Sequence, residues 1–567
     1  MSMMHKILRR FCVTTPIMMT ACAAALPGSA DTSGPGAAYG PFLAARYADT
    51  QQDPAAAIRY YDQALAADPQ NRALLNEDFI AAVVAGNPQA AKLAPDVGDN
   101  ALAIMLLGNQ AAQNGDFAQA VKQFQSLPHD QLSGLLAPLL IAWSQFGQGD
   151  AQAALATLMP LTSVSSPFSG IYLLNAALIA DQSHDMKDAS TLYGEVGNGA
   201  GAPNLRLAQV IASWQARQGN LDAAKAELNQ MAQTHPALAS ALPALISQVK
   251  QPVINSPIDG LAEAYLTIAG SLNQPSQAAL RLSFLHFALG LRPDIAAARL
   301  LLANVLTGSD QPNADPSAKL RQQALEALQP IPTTDPLYTT AALQEAALLA
   351  SLNQPAAAVD LMNKLLANDP HNIELLSGIG DILRANNQFS EAIPYYTRAI
   401  DELPNPPPAG AWTLYYDRGI CIDQGSGSDW AKAEPDLQEA RKLAPNQPFV
   451  LNYIGFTWAL HGEHLTQARD MLTQAVSMAP KEGAIIDSLG YVNLKTGDTK
   501  AAIKLLIQAT EMEPDDAEIN AHLGDAFYAD GQKLQADYQW QRALALKPDA
   551  KLQADLEAKL KQFSPPT

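Results

Sequence analysis

The chain has 567 residues, of which 55 are acidic and 36 basic, and its formal net charge is −19. Such an excess of acid disfavours binding to nucleic acid. No run of 18 apolar residues follows the N-terminal region, so the sequence predicts no membrane-spanning helix there. The chain is too long for one compact core, whereas a repeat array escapes that limit because each repeat buries its apolar face on the next.

Residues 1–30 have the composition of an export signal: a basic start, the short apolar run "FCVTTPIMMTA", and then small residues. Two processing sites remain open. The run "ALPGSA" before Asp31 suits a general signal peptidase, whereas "MTAC" resembles a lipobox whose lipidated residue would be Cys22. Either interpretation predicts a mature chain on the periplasmic side of the cell envelope, and lipidation would anchor it to the outer membrane.

Residues 31–250 are predicted to form a divergent N-terminal array of paired helices. The first unit, "FLAARYADTQQDPAAAIRYYDQALAADP", carries landmark residues at the offsets that recur near the C-terminus: Ala57, Tyr61, Ala64 and Pro69. Farther along the chain, glycines are predicted to mark the turns between paired helices at positions 115, 149 and 219. The pattern is degraded but still helical in its spacing.

A break in the helical pattern at "QVKQPVINSPIDG" predicts a joint near residue 250 between two arrays. The second array is assigned to residues 251–548. Within it, the proline-rich run "LPNPPPAG" at 403–410 predicts a local bend and not a domain boundary. Residues 549–567 are predicted to form a charged capping helix followed by a disordered tail.

Four sets of residues recur in phase near the C-terminus. Prolines fall at 445, 480, 514 and 548, and glycines at 455, 490 and 524. Alanines occupy two further rows, at 433, 468, 502 and 536 and at 440, 475, 509 and 543. A period of 34 or 35 residues predicts an antiparallel helix pair that repeats along the chain. The small residues let the paired helices approach closely, and each proline ends a pair.

The run "AIIDSLGYVNLKTGDTKAAIKLLIQATEMEP" resembles the tetratricopeptide repeat at nearly every key position. This resemblance implies an all-α fold, an α-solenoid in which antiparallel helix pairs form a right-handed superhelix. In such repeats the first helix of each pair lines the concave face. The residues expected there form an aromatic and acidic groove that would bind a protein segment: Tyr416, Ile420, Asp423, Asn452, Phe456, Asp487, Tyr491, Asp525 and Tyr528.

This groove departs from the carboxylate-clamp variant of the family, which grips a peptide C-terminus with lysine and arginine. Here the groove offers acids, and Arg384 is the nearest base. Its acids would therefore favour a basic or neutral segment. A clamp for chaperone tails is not expected.

The sequence contains no motif typical of a catalytic or metal-binding site. No phosphate loop, G-x-S-x-G elbow or H-E-x-x-H motif occurs, so no enzyme activity, cofactor or metal is predicted. His461 and His464 have a metal-like spacing but fall in a turn between helices, where a solvated position is favoured. Trp458, Trp540 and Cys421 are interpreted as buried apolar residues.

A narrower resemblance covers residues 260–548. The runs "WTLYYDRGICID", "LNYIGFTWALHGEHLTQARDML" and "INAHLGDAFYADGQKLQADYQWQRAL" are similar to exported repeat proteins of Gram-negative bacteria. Some are outer-membrane lipoproteins that bring cell-wall hydrolases to a periplasmic carboxyl-terminal processing protease. The resemblance implies a non-enzymatic adaptor that binds proteins. The alternative is a scaffold for envelope polysaccharide synthesis or export; a repeat-bearing enzyme is disfavoured because repeats fill residues 39–548.

Overall fold

The computed structural model describes residues 35–51, 53–128, 133–162, 168–199, 205–272, 274–308, 316–425 and 429–563. The export signal, Cys22 and the C-terminal tail therefore lie outside the described residues. Within those ranges the chain is all-α, with 30 α-helices, four short 3-10 turns and no strand. No helix in this part of the chain is both long and apolar enough to cross a bilayer.

The chain divides into two compact units between Leu352 and Asn353. The helices of the N-terminal unit are α1 Pro35–Thr50, α2 Pro54–Ala67, α3 Arg72–Val84, α4 Gln89–Leu93, α5 Ala101–Gln113, α6 Phe117–Gln125, α7 Ser133–Gly147, α8 Ala151–Thr162, α9 Ser169–Gln182, α10 Met186–Gly199, α11 Leu205–Arg217, α12 Leu221–Thr234, α13 Leu242–Ser247, α14 Pro257–Ser271, α15 Ala278–Leu291, α16 Ala296–Thr307, α17 Ala318–Leu328 and α18 Tyr338–Ser351.

The helices of the C-terminal unit are α19 Pro355–Asn368, α20 Ile373–Ala385, α21 Phe389–Asp401, α22 Trp412–Gln424, α23 Trp430–Leu443, α24 Pro448–His461, α25 Leu465–Met478, α26 Gly483–Lys495, α27 Thr499–Met512, α28 Ala517–Ala529, α29 Lys533–Ala545 and α30 Ala550–Phe563. From α20 to α29 they alternate as first and second helices of five consecutive pairs. The proline-rich run at 403–410 separates the first two of these pairs inside the unit.

The predicted turns between paired helices are confirmed. Gly115, Gly149 and Gly219 have φ angles of +81°, +86° and +89°, a left-handed conformation that glycine adopts without steric cost. The following helix begins at a side-chain cap, since Asp116 accepts a hydrogen bond from the backbone N–H of Gln119. A glycine turn and a polar cap together reverse the chain within a few residues.

Close packing within the C-terminal pairs explains the rows of small residues. All eight alanines of the two rows are fully buried. A Cβ atom on Gly490 would lie 2.7 Å from Leu506 Cγ, and one on Gly455 would lie 2.9 Å from Leu472 Cγ. The second helix of each pair therefore places a large side chain against a glycine of the first, which confirms the predicted close approach.

The helix pair α14–α15 packs against helices that are far from it in sequence. Helix α14 lies against α5, α7 and α9, and α15 lies against α3 and α5. All four of these contacted helices are first helices of their pairs. In consequence, the surface that the N-terminal repeats would offer to a partner is covered by residues 257–291 of the same chain.

Polar contacts fix the helix pair α14–α15 in that position. The fully buried Glu263 carboxylate pairs with the Arg206 guanidinium, and Tyr265 Oη donates to Asn109 Oδ1 over 3.1 Å. Gly260 packs flat against the Trp143 indole, with no room for a Cβ atom. The joint predicted near residue 250 thus lies inside the N-terminal unit, because the helices that follow it pack back onto the preceding repeats.

Candidate protein-binding surface of the C-terminal unit

The nine predicted site residues lie on four successive first helices, α22, α24, α26 and α28. The structure brings two of their aromatic members, Phe456 and Tyr491, into contact with each other and with His522 of the next first helix. The rings of Phe456 and Tyr491 have centroids 5.5 Å apart, and the His522 ring lies 4.6 Å from Tyr491 and 6.3 Å from Phe456. We call Phe456, Asp487, Tyr491 and His522 the central cluster.

Two smaller groups flank the central cluster. Toward the N-terminus of the unit, Tyr416 packs edge-on against Tyr453 with centroids 5.9 Å apart. Toward the C-terminus, Tyr528 lies 5.7 Å from the Trp540 ring. Each first helix from α22 to α28 therefore contacts the next one through a pair of rings, whereas the Tyr528–Trp540 contact joins α28 to its own second helix, α29. Ring pairs of this kind stabilise the packing beyond the area they bury.

The site residues are less accessible than an open, half-exposed groove would make them. Six are buried, namely Tyr416, Ile420, Asp423, Asn452, Phe456 and Asp487. Tyr491 and Asp525 are half-buried, and Tyr528 is 47% exposed. Many of these side chains pack against neighbouring helices, which explains their burial. Tyr491, Asp525 and Tyr528 are the accessible members.

The three predicted groove acids each have a partner. Asp423 Oδ2 accepts from Tyr453 Oη over 2.8 Å. Asp525 accepts from Trp540 Nε1 over 2.9 Å and from Lys559 Nζ over 2.8 Å. The third, Asp487, is paired with His522 inside the central cluster. Each of these carboxylates therefore has a hydrogen-bond or ion-pair partner, which reduces the negative charge available to attract a basic segment.

The Asp487–His522 pair is the strongest electrostatic feature of the surface. His522 Nδ1 lies 2.9 Å from Asp487 Oδ2 and 3.1 Å from Oδ1. Burial alone would lower the pKa of His522, but the charge and hydrogen bond of Asp487 raise that pKa to about 9. Glu518 and Asp525 add to the same effect. Burial also raises the pKa of Asp487, and the charge and hydrogen bond of His522 oppose that rise. With the pKa of His522 at about 9, the histidine is protonated at neutral pH and pairs with Asp487.

Arg384, the nearest base in the sequence, is not free to bind a carboxylate. Its Nε lies 3.3 Å from Asp417 Oδ1 and 3.3 Å from Tyr396 Oη, and Tyr396 in turn donates to Asp381. Burial raises the pKa of Asp417 to about 7, against the opposing charge of Arg384. The contacts of Arg384 in this neighbouring polar cluster are therefore all with residues of the same unit.

Two residues that pair with the groove acids, His522 with Asp487 and Lys559 with Asp525, were not predicted from the sequence. His522 stands 35 residues after Asp487, close to one repeat, so repeat spacing alone could have placed the two side chains on adjacent helices. Lys559 belongs to the capping helix α30, whose register against α28 no periodicity defines. The first partner was therefore accessible to sequence reasoning, and the second was not.

Residues considered for other chemistry have ordinary packing roles. The His464 ring lies 4.8 Å from the Trp458 ring, and the His461 ring lies 6.1 Å from that of Trp430. Trp458, Trp540 and Cys421 are buried, as predicted, and burial raises the pKa of the Cys421 thiol. Across the described ranges, no three metal-binding side chains come together.

Stacked helix pairs with in-phase glycine, alanine and proline residues define an α-solenoid of the tetratricopeptide type, a scaffold suited to protein–protein interaction. The family model described as tetratricopeptide repeat matches residues 343–407, 378–448 and 488–551. These matched segments of the C-terminal part are therefore similar to tetratricopeptide repeats.

Two curated proteins are similar over part of the chain. TPR repeat-containing protein PA4667 of Pseudomonas aeruginosa is 26% identical over 189 residues, which cover 33% of this chain and 31% of the relative. Interferon-induced protein with tetratricopeptide repeats 2 of Cricetulus griseus is 30% identical over 96 residues, which cover 17% of this chain and 20% of the relative. The chain thus spans about a third and a fifth of the lengths of these relatives.

Solved structures resemble the chain only loosely. The APC/C hetero-tetramer Cut9–Hcn1 matches with a TM-score of 0.37 and 16% identity, covering 93% of this chain and 96% of that one. Yeast Tom70 matches with a TM-score of 0.34 and 13% identity, covering 93% and 95%. We draw no functional conclusion from either structure.

Proposed function

We propose that this chain is a non-enzymatic adaptor of the cell envelope that binds other proteins through the first-helix surface of its C-terminal unit. The observation that carries the proposal is the ring series on successive first helices, with Tyr491 and Tyr528 accessible at its edge. Aromatic side chains of restricted mobility supply large contact area at low entropic cost, and a few such residues usually dominate an interface.

The location and the partners form the finer part of the proposal. A basic and apolar N-terminal segment with "MTAC" at Cys22 supports export and lipid anchoring at the outer membrane. The similarity of residues 260–548 to exported adaptor lipoproteins supports delivery of substrates, such as cell-wall hydrolases, to an envelope protease. An adaptor that contacts several partners in turn needs only micromolar affinity, about 8 kcal/mol.

The binding surface is tested by substitution of its aromatic residues. Partners are first captured from envelope extract with the full chain and identified by mass spectrometry. The variant Phe456→Ala/Tyr491→Ala/Tyr528→Ala is then compared with wild type for each purified partner. Loss of about 2 kcal/mol of contact would weaken binding roughly thirtyfold.

A matched control separates binding from folding. Met478→Ala/Ile507→Ala removes two exposed apolar side chains from second helices and should leave affinity unchanged. Because Phe456 is buried, the double variant Tyr491→Ala/Tyr528→Ala is measured beside the triple variant, with helicity and melting temperature recorded for each. Unchanged affinity in folded variants would exclude this surface as the binding site.

Anchoring is tested separately at Cys22. Cells that carry Cys22→Ala are fractionated, and the chain is followed in the membrane and soluble fractions. Lipidation predicts that wild type sediments with outer membrane and that the variant is released, since multiple acyl chains anchor stably. An identical distribution of the two proteins would refute lipidation and leave cleavage by the general signal peptidase.

A further inference from the structure

The most exposed large apolar side chains of the described residues fall on only two helices. Tyr39, Leu43 and Tyr47 are 68%, 64% and 67% exposed and all lie on α1. Leu534 and Tyr538 on α29 are 80% and 63% exposed, and the next most exposed, Tyr528, reaches only 47%. The α1 residues are spaced by four, so they form one continuous stripe along one face of the helix.

The opposite face of α1 is fully used within the N-terminal unit. Ala38 is buried together with Ala64 and Leu74, and the Phe42 ring lies 6.4 Å from the Tyr61 ring. Later first helices pack against the second helix of the preceding pair, as α3 packs against α2, α7 against α6 and α9 against α8. In α1 the apolar stripe lies on the corresponding face. In a repeat array this face is normally buried by the preceding helix, so we expect another helix to cover it.

The stripe carries almost no charge, although the chain as a whole is strongly acidic. Between Pro35 and Ala48 the only charged residue is Arg46, which forms an ion pair with Glu77 over 3.2 Å. Two acidic molecules can therefore approach each other here without opposing carboxylates. The α29 stripe differs, because Lys533 and Asp537 lie beside its two apolar residues.

The backbone of α1 also permits close approach. Gly40 lies one turn from Leu43 on the exposed side, and no atom comes within 4 Å of the position its Cβ would occupy. A second helix can therefore pack closely against this face, with the large side chains of the stripe on either side of the glycine.

We propose that α1 is a self-association surface, on which two copies of the chain pack their α1 helices antiparallel about a two-fold axis. Leu43 lies near the axis, and Tyr39 of one copy packs on Tyr47 of the other, as an isologous contact requires. The second copy thus supplies a covering helix that none of the helices described from residue 35 onward provides.

The expected affinity follows from the area. Tyr39 and Tyr47 are aromatic side chains of the kind that buries about 150–250 Å² each, and Leu43 is smaller. Because all three are about two-thirds exposed, they offer on the order of 350 Å² per copy. Two copies together bury roughly 700 Å², an area typical of small, transient interfaces. That is the low end for a specific interface, so the dimer should be weak and reversible, with a dissociation constant in the micromolar range.

Sedimentation equilibrium of the full-length chain tests the proposal. Cys22→Ala is present in every sample so that no acyl chain drives association. The parent chain, after removal of residues 1–30, should rise in mass with concentration from the mass of one copy toward twice that value. Tyr39→Ser/Leu43→Ser/Tyr47→Ser should remain monomeric, with association weakened at least tenfold, whereas Leu534→Ser/Tyr538→Ser should behave as the parent.

Other occupants of the stripe give different results. A parent chain that stays monomeric at all concentrations overturns the proposal, as does a stripe variant of unchanged helicity that associates like the parent. Flotation of the monomeric parent with phosphatidylcholine vesicles, lost in the stripe variant, would assign the stripe to a lipid surface and would likewise overturn self-association.

Discussion

The Asp487–His522 pair predicts that the C-terminal unit loses stability as the solution becomes alkaline. The pKa of His522 is about 9 in the folded chain and is near 6.5 for an unperturbed histidine. Because the folded-state value is the higher one, protonation favours the folded state. The stabilisation is complete below pH 6.5 and is lost as the pH rises through about 9.

The magnitude follows from the difference between the two pKa values. It corresponds to about 3 kcal/mol of unfolding free energy, a large fraction of the roughly 5–15 kcal/mol that stabilises a typical domain. Phe456 and Tyr491 cover the pair from adjacent helices, and the side chains of Asp487 and His522 are 0% and 10% exposed, so solvent screens the attraction weakly. Glu518 and Asp525 reinforce it, and no cation is among the groups that shift this pKa.

Two measurements check this prediction. Histidine-selective NMR, with the His522 signal identified by its loss in His522→Gln, should show a titration midpoint near 9. Urea unfolding at pH 6, 7.5 and 9.5 should show the His522→Gln variant less stable than wild type by about 3 kcal/mol at pH 6 and by almost nothing at pH 9.5.

The control is His371→Gln, which breaks an exposed histidine–glutamate pair of the same unit and should leave stability unchanged. A His522 midpoint at or below 6.5 would refute the ion pair. Parallel pH profiles for wild type and His522→Gln would show that the histidine contributes through packing alone.

Two further predictions concern packing in each unit. Gly490→Ala should lower the unfolding free energy by about 1 kcal/mol, because the added methyl group collides with buried Leu506 and this cost exceeds the gain in helix propensity. The control Gly194→Ala, at an exposed helix position with open space around it, should be neutral or stabilising. Equal effects of the two substitutions in chemical unfolding would contradict the packing argument. Glu263→Gln should cost about 3 kcal/mol by leaving Arg206 half-paired, and Arg206→Met/Glu263→Met should recover much of that loss; a double variant no more stable than the single one would contradict this origin.

The local architecture of the C-terminal unit could be predicted from the sequence because the same residue types recur at the same positions of each repeat. Glycine opposite leucine or tryptophan, alanine in the buried rows and proline between pairs are each dictated by neighbours within about 35 residues. The positions of the nine site residues on first helices follow from the same register. Their exposure did not follow, because it depends on what packs across the helices.

Long-range packing in the N-terminal unit was not predictable by the same reasoning. Tyr265 donates a hydrogen bond to Asn109, which lies 156 residues earlier in the chain, and no periodic pattern links the two positions. The prolines and glycine near residue 250 correctly indicated an interruption between α13 and α14. These residues do not indicate the direction that the chain takes after the interruption. The sequence therefore predicted a joint between two arrays, whereas α14 and α15 fold back onto the preceding repeats.

That fold-back constrains where a partner can bind. In the N-terminal unit, access to the first helices would require removal of α14 and α15, and with them separation of the Arg206–Glu263 pair and exposure of the Trp143 face. Separating a buried ion pair alone costs several kcal/mol, comparable to half the free energy of a micromolar interaction. In the C-terminal unit, Tyr491 and Tyr528 are reached without displacing a helix of that unit. A transient partner of this chain should therefore engage the C-terminal repeats, while the N-terminal repeats hold their own helix pair.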